Sequence, residues 1–287
     1  MVLDALGYRD ATDIEPLTGG WDTHLWRFEA DGRALVLRVY RPTAPLEALA
    51  PVAANEVAAM RAAQAGGLPV PEVVREAAFD GTPALVLSWM PGEPLADVLK
   101  RKPWQMRSWG REFGRLQARL HRCDVSGVRL LAESGWEDRV ADAALVEAAR
   151  KDVTDAVALC HLDFHPLNVL AKGRDISALL DCRNAAAGDP RADLGLTWAL
   201  LEAAPLPPGL ALRVTRVVLR RFTAGWREGY AQEAGHFPLT PLFQALGLAV
   251  YHAEFTRAAA EGRGWATEAH VARLGRLLEE RRRAAGL

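Results

Sequence analysis

Residues 158–170 read ALCHLDFHPLNVL. Within them His161, Asp163 and Asn168 are spaced as H-x-D-x-x-x-x-N, and the apolar Val157, Leu159, Val169 and Leu170 supply a short strand on either side. A loop held between two strands lets a carboxylate reach one reacting group, while an amide oxygen five residues later turns back toward a metal ion on a second. Thirteen residues beyond Asn168, the apolar stretch 177–181 (SALLD) ends in another carboxylate, Asp181.

Upstream of this segment the pattern changes from helical to strand-like. Residues 25–29 and 34–40 are apolar strand runs joined by Ala30-Asp31-Gly32-Arg33, and 72–78 and 83–89 flank Phe79-Asp80-Gly81-Thr82. Asp-Gly between two apolar runs is a strong hairpin signal. Between the hairpins, residues 51–65 carry Val52, Val57 and Met60 at helical spacing and stop at Gly66-Gly67. Beyond Met90-Pro91-Gly92 the chain turns helical, over 104–121, over a long stripe from Leu210 to Trp226, and over a last helix from Trp265 with an Arg-rich face. The pattern predicts an α+β chain of two unequal lobes, a β-rich one over 1–88, a hinge at 89–93, and a larger α-helical one over 94–287.

Composition narrows the function. The 287 residues are 50% hydrophobic and 25% charged with a net charge of −1, so there is no basic field to hold nucleic acid. No run is long and apolar enough for a membrane span, and the start (MVLDALGYRD) lacks a basic-then-apolar leader pattern, so a cytoplasmic protein without a membrane partner is expected. Cys123, Cys160 and Cys182 are too few and scattered for a disulfide framework. Only four lysines occur, the first at Lys100.

HLDFHPLNVL followed by ALLDCRNAAAGDPRADLG resembles the aminoglycoside phosphotransferase / choline kinase-like family, small-molecule relatives of protein kinases. The chain keeps His161, Asp163, Asn168, Asp181, Gly188, Asp189, Pro190, Asp193 and Leu194 of that pattern. It departs at Leu162, where glycine is common, and at Cys182, where tryptophan is common; both departures are expected to bear on packing.

The resemblance implies a protein-kinase-like two-lobed fold and an O-phosphotransferase using ATP (or GTP) and Mg²⁺ on a small-molecule hydroxyl acceptor. Asp163 would be the base, with Asn168 and Asp181 holding the metal. LTGGWDTHLWRF is similar to the family's hairpin over the nucleotide phosphates, with Gly19 and Gly20 at the approach. ALVLRVYRP is similar to the strand that normally carries a phosphate-binding lysine; here Arg38 stands in that place, with Glu56 matching the carboxylate that orients it. The stretch LVLSWMPGEPL, with Ser88, Trp89 and Met90, is similar to the hinge that meets the base of the nucleotide.

Arg38 shares a strand face with Val36 and Tyr40, and an arginine on an inner face needs an anionic partner. For Glu56 the alternative is a solvated helix face. His161 and His165 read as supports rather than proton carriers, Asp193 as a helix N-cap and Asp189 as a loop tie. The C-terminal arginines (Arg273, Arg276, Arg281, Arg282 and Arg283) read as solvated. From Leu201 to Trp265 seven arginines stand against five acids, which does not suggest an acid-lined pocket, and the acceptor stays open among aminoglycosides, amino alcohols and sugar-like molecules. Two other classes stay open: a nucleotide-binding pseudokinase, favoured only by the arginine at position 38, and a metal-dependent hydrolase built on His161-x-Asp163-x-His165.

Overall fold

The computed structural model describes residues 2–18, 23–41, 45–140, 142–152, 154–204, 210–263 and 266–287, excepting the side chains of 210–215. After α1 (Val2–Ala5), the strands β1 (Thr12–Leu17), β2 (Thr23–Ala30), β3 (Arg33–Tyr40), β4 (Val73–Phe79) and β5 (Thr82–Ser88) form an antiparallel sheet in the order β1-β2-β3-β5-β4. The helix α2 (Leu46–Ala65) connects β3 to β4. Both Asp-Gly turns take the two-residue form with positive φ at each central position, Asp31 at 53° and Gly32 at 68°, Asp80 at 49° and Gly81 at 75°. That conformation matches the twist of the strands it joins and suits Asp and Gly.

The sheet is buried on both faces at β3. Leu35 and Leu37 pack with Phe28, Ala84 and Val86 against α1, while Tyr40 packs on the other side with Leu49, Val57 and Met60 of α2. α2 starts at Leu46, five residues before Pro51, where sequence periodicity places its start. Proline has the φ of a helix, so Pro51 removes one hydrogen bond without ending the segment. β1 carries no apolar alternation and is exposed along nearly its whole length, which is why the sequence does not reveal it.

The remainder comprises β6 (Glu93–Pro94), α3 (Leu95–Arg101), α4 (Met106–Leu120), α5 (Ala143–Lys151), β7 (Ala158–Cys160), β8 (Val169–Lys172), β9 (Asp175–Leu179), β10 (Ala186–Gly188), α6 (Pro190–Ala203), α7 (Leu210–Ala234), α8 (Pro241–Ala260) and α9 (Glu268–Ala284). Val157 lies outside β7 and is exposed. Trp265 lies outside the described residues. α8 was not anticipated from periodicity because Phe243 and the run Ala245–Tyr251 are all buried, so it has no single apolar stripe. No helix among the described residues is long and apolar enough to cross a membrane.

One core joins the sheet, α2, the loop after β7, α4 and α7, while α5, α6, α8 and α9 pack around a second. Phe164 is fully buried against Phe113 of α4, ring centroids 4.3 Å apart, and Phe113 packs in turn on Phe222 of α7. α4 and α7 approach until their backbones touch. A Cβ on Gly114 would lie 2.1 Å from the Trp226 carbonyl oxygen, and one on Gly229 would lie 2.0 Å from that of Arg111. Helix propensity alone makes Gly→Ala stabilising by about 1 kcal/mol. Here the sign reverses: Gly229→Ala should cost about 1–3 kcal/mol through overpacking, read as a lower urea midpoint. An unchanged or raised midpoint would mean that the helices can separate without loss.

Candidate active site

The loop between β7 and β8 places its side chains alternately. Phe164 points into the core, and on either side of it Asp163 and His165 remain partly exposed. The Asn168 amide donates to the Asp163 backbone carbonyl at 3.0 Å and to its carboxylate Oδ2 at 3.2 Å. His165 Nε2 faces Asp163 Oδ1 at 3.5 Å, and its Nδ1 accepts from the Leu167 amide at 3.2 Å. Burial pushes the Asp163 carboxyl up, but the His165 hydrogen bond and the charges of His165, His161 and Arg139 outweigh it and hold it below the usual carboxylate range. Asp163 is therefore ionised at neutral pH.

The loop is tied to the strand behind it. His161 is buried and its Nε2 donates to the Leu180 carbonyl at 2.9 Å, while the Leu180 amide donates to the Asn168 carbonyl at 2.8 Å. These bonds bring Asp181 beside the loop. Asp181 sits at φ 63°, a left-handed turn straight after β9, and its carboxylate is over a third exposed. Arg38 Nη2 donates to Asp181 Oδ1 at 2.6 Å, and Nη1 lies 2.7 Å from Glu56 Oε1.

Glu56 is fully buried rather than solvated. Tyr40, two residues along β3 from Arg38, donates its hydroxyl to the other Glu56 oxygen, and the Arg38 guanidinium lies over its ring, 5.7 Å from the centroid. Burial opposes the charge on Arg38, but Glu56 and Asp181 more than offset it, so its pKa rises. Burial likewise pushes Glu56 up, opposed by Arg38. Tyr40 escaped the sequence reading as a site residue because a tyrosine on a strand face reads as core; the i, i+2 relation to Arg38 was the available signal. Next to Glu56, Asn55 donates to the Ala185 carbonyl at 2.7 Å and accepts from the Arg129 amide at 2.8 Å, fastening α2 to the helical lobe.

Several expectations are corrected. Asp189, not Asp193, is the N-cap of α6: its Oδ1 accepts from the Arg191 amide at 2.8 Å, with Pro190 as the first helical residue. Asp193 lies inside the first turn and is completely buried. Its Oδ1 accepts from the Leu162 amide at 2.5 Å, and its Oδ2 meets Gln117 Nε2 at 2.8 Å and His121 Nε2 at 2.9 Å. Leu162 bears on backbone conformation as well as packing, because it sits at φ 60°, where glycine is unstrained and leucine is not. Asp193 thus holds the strained turn immediately before Asp163. The C-terminal arginines are not uniformly solvated either; Arg273 is mostly buried.

Where β5 ends, the Ser88 amide donates to the Glu72 carbonyl and the Trp89 amide to the Ala34 carbonyl, at 2.9 and 3.0 Å. Of the three, only the Met90 amide has no backbone partner among the described residues. Gly19 and Gly20 lie outside the described residues, between the antiparallel β1 and β2. On the far side of Asp163, Arg139 pairs with Glu254 of α8 at 2.8 Å, near the buried Tyr251 hydroxyl; no motif in the sequence marks these residues.

No curated protein sequence matches the chain. Among solved structures it is similar to the aminoglycoside phosphotransferase APH(4)-Ia, at 15% identity with a TM-score of 0.64 over 97% of this chain and 96% of that one. A thermostable mutant of that protein has been solved in ternary complex with AMP-PNP and hygromycin B. It is also similar to an aminoglycoside-3'-phosphotransferase of type VIII (21% identity, TM-score 0.52, 97% of each chain). The macrolide 2'-phosphotransferase MphH from Brachybacterium faecium matches at 20% identity and a TM-score of 0.50, over 96% of this chain and 97% of that one. These likenesses place the fold among protein-kinase-like phosphotransferases. The sequence profile of the phosphotransferase enzyme family (APH) matches residues 13–238, most of the chain, and the protein belongs to that family.

Proposed function

We propose that this small-molecule phosphotransferase moves the γ-phosphoryl group of ATP or GTP to a hydroxyl of its acceptor, with Asp163 as the base. One observation carries the reading: a continuous bonded path runs from Asp163 through Asn168 and the Leu180–Asp181 backbone to Arg38 and Glu56. It links the loop that presents a carboxylate to a strand that presents a buried cation. Nucleotide use is supported by the AMP-PNP complex of the structural neighbour.

The roles follow from position. Asp163 orients the acceptor hydroxyl and takes its proton. Asn168 and Asp181 offer hard oxygen donors side by side, a set that suits Mg²⁺, whose part when bound is to neutralise charge on the phosphate oxygens. Arg38, held by Glu56 and Asp181, carries the positive charge that would meet the phosphate oxygens, and Gly19 and Gly20 are assigned to the phosphates from the sequence resemblance alone. The Met90 amide is the hinge donor for the base of the nucleotide, flanked by Ser88 and Trp89. His161 and His165 support the loop, Asp189 caps α6, and Asp193 braces the turn.

Retention of Asp163, Asn168 and Asp181 together supports activity over a nucleotide-binding protein without chemistry. A hydrolase centred on His161 and His165 has less support: His161 is committed to the Leu180 carbonyl, and no three His, Cys, Asp or Glu side chains among the described residues are grouped to hold a metal.

Thermal shift with Mg·ATP and Mg·GTP tests the nucleotide half. At a hundred times Kd a ligand adds about 2.7 kcal/mol of stability, so the melting temperature should rise by several degrees in the wild type. Asp181→Ala should lose most of that rise in the presence of Mg²⁺. No shift with either nucleotide at millimolar concentration would refute the reading.

A further inference from the structure

α7 packs on α4 and α9 packs on α8, and between α7, α9 and the end of α6 a cleft of about 280 Å³ opens. Arg216 and Arg220 of α7 and Arg273 and Arg276 of α9 line it, against only Glu202 of α6 and Glu280 of α9. Four positive charges thus meet two negative ones in a semi-enclosed space. Arg273 reaches Glu202 at 3.4 Å; Arg216, Arg220 and Arg276 have no ion-pair partner among the described residues. Burial lowers the pKa of Arg273; Glu202 opposes it, and the charges of Arg216 and Arg276 add a smaller lowering.

We infer that this cleft binds a compact dianion, a phosphate monoester or a dicarboxylate, at a site separate from the centre around Asp163. The net excess of two positive charges matches a ligand of charge −2, and guanidinium forks suit both oxyanions. The volume fits a small metabolite and leaves no room for a nucleotide with its base enclosed. Separation follows from α6 itself. Asp193 braces the catalytic loop in the first turn, and Glu202 lies nine residues on, roughly 14 Å further along the axis at 1.5 Å per residue. The arginines without an ion-pair partner come from two helices, Arg216 and Arg220 from α7 and Arg276 from α9, and face one cleft.

Calorimetric titration with inorganic phosphate and, separately, succinate, at constant ionic strength, tests the site. Saturable binding at or below about 1 mM is expected for at least one probe, and the tighter of the two assigns the oxyanion. The double variant Arg216→Gln/Arg276→Gln, both exposed and unpaired, should weaken it about tenfold or more. Glu202→Gln should tighten it, and Asp181→Ala should leave it unchanged. Absence of saturable binding by either probe, indifference to the arginine pair, or loss in Asp181→Ala would each overturn the inference; the last would place the anion at the nucleotide phosphates instead.

Discussion

Asp163→Ala should lower kcat by about 10²–10⁴-fold on a verified acceptor, the range that a positioned base contributes. Mg·nucleotide binding should change little, because Asp163 touches the proposed metal ligands only through the Asn168 amide. The loop should remain folded, since its anchor is the buried Phe164 and the His161 bond to Leu180 rather than the carboxylate. Asp163→Asn is the stricter form of the test: it keeps the shape and a weak acceptor, and should lose nearly as much. The measurement is steady-state kcat beside the nucleotide-induced thermal shift of the same preparation. Full activity in either variant would remove Asp163 from the role of base and leave the site without one.

Asp193→Ala carries the largest expected cost in stability, about 3–5 kcal/mol, the range for breaking a buried charged hydrogen-bonded pair from one side. Three donors converge on this carboxylate, the Leu162 amide, Gln117 and His121, and removal leaves the Leu162 amide and His121 Nε2 without it in the interior, while Gln117 keeps Thr197. It also releases the left-handed Leu162, so the loop that presents Asp163 should lose its shape before the whole domain melts. Asp193→Asn keeps the volume and should still be destabilising, because its amide group would oppose one of those donors with another. Burial pushes the Asp193 carboxyl up, but the His121 and Gln117 bonds outweigh it and hold it below its ordinary value of 3.8. A depressed carboxylate contributes its stability above the unfolded pKa and loses it as pH falls toward the folded one. The melting-temperature gap between wild type and Asp193→Asn should therefore be steady on the acid side down to about pH 4 and narrow below it. A gap that stays constant through pH 3 would mean that the carboxylate is not the charged hub described here.

Local chemistry accounts for what the sequence alone determined. Both Asp-Gly hairpins, the strand carrying Arg38, the helix after it, and the spacing of Asp163, Asn168 and Asp181 depend on residues near one another in the chain. A turn needs positive φ, a strand alternates its faces, and a loop between short strands can present only certain positions. Because Arg38 shares a face with Tyr40, its need for an anionic partner was legible too, though not that Glu56 and Asp181 would both supply it. Other features depend on residues far apart in sequence, so only the tertiary structure decided them. Asp193 reads as the helix cap and Asp189 as a loop tie until Leu162, Gln117 and His121 arrive around Asp193 and Asp189 takes the cap. Gly114 and Gly229 are ordinary helix glycines until two backbones meet there. Arg216 and Arg276 look like solvated surface on their own helices, and become a single cationic cleft only when α7 and α9 are set side by side. A lone helix sets the angle at which a side chain leaves it, whereas burial and electrostatic balance depend on what the other helices bring to the same place.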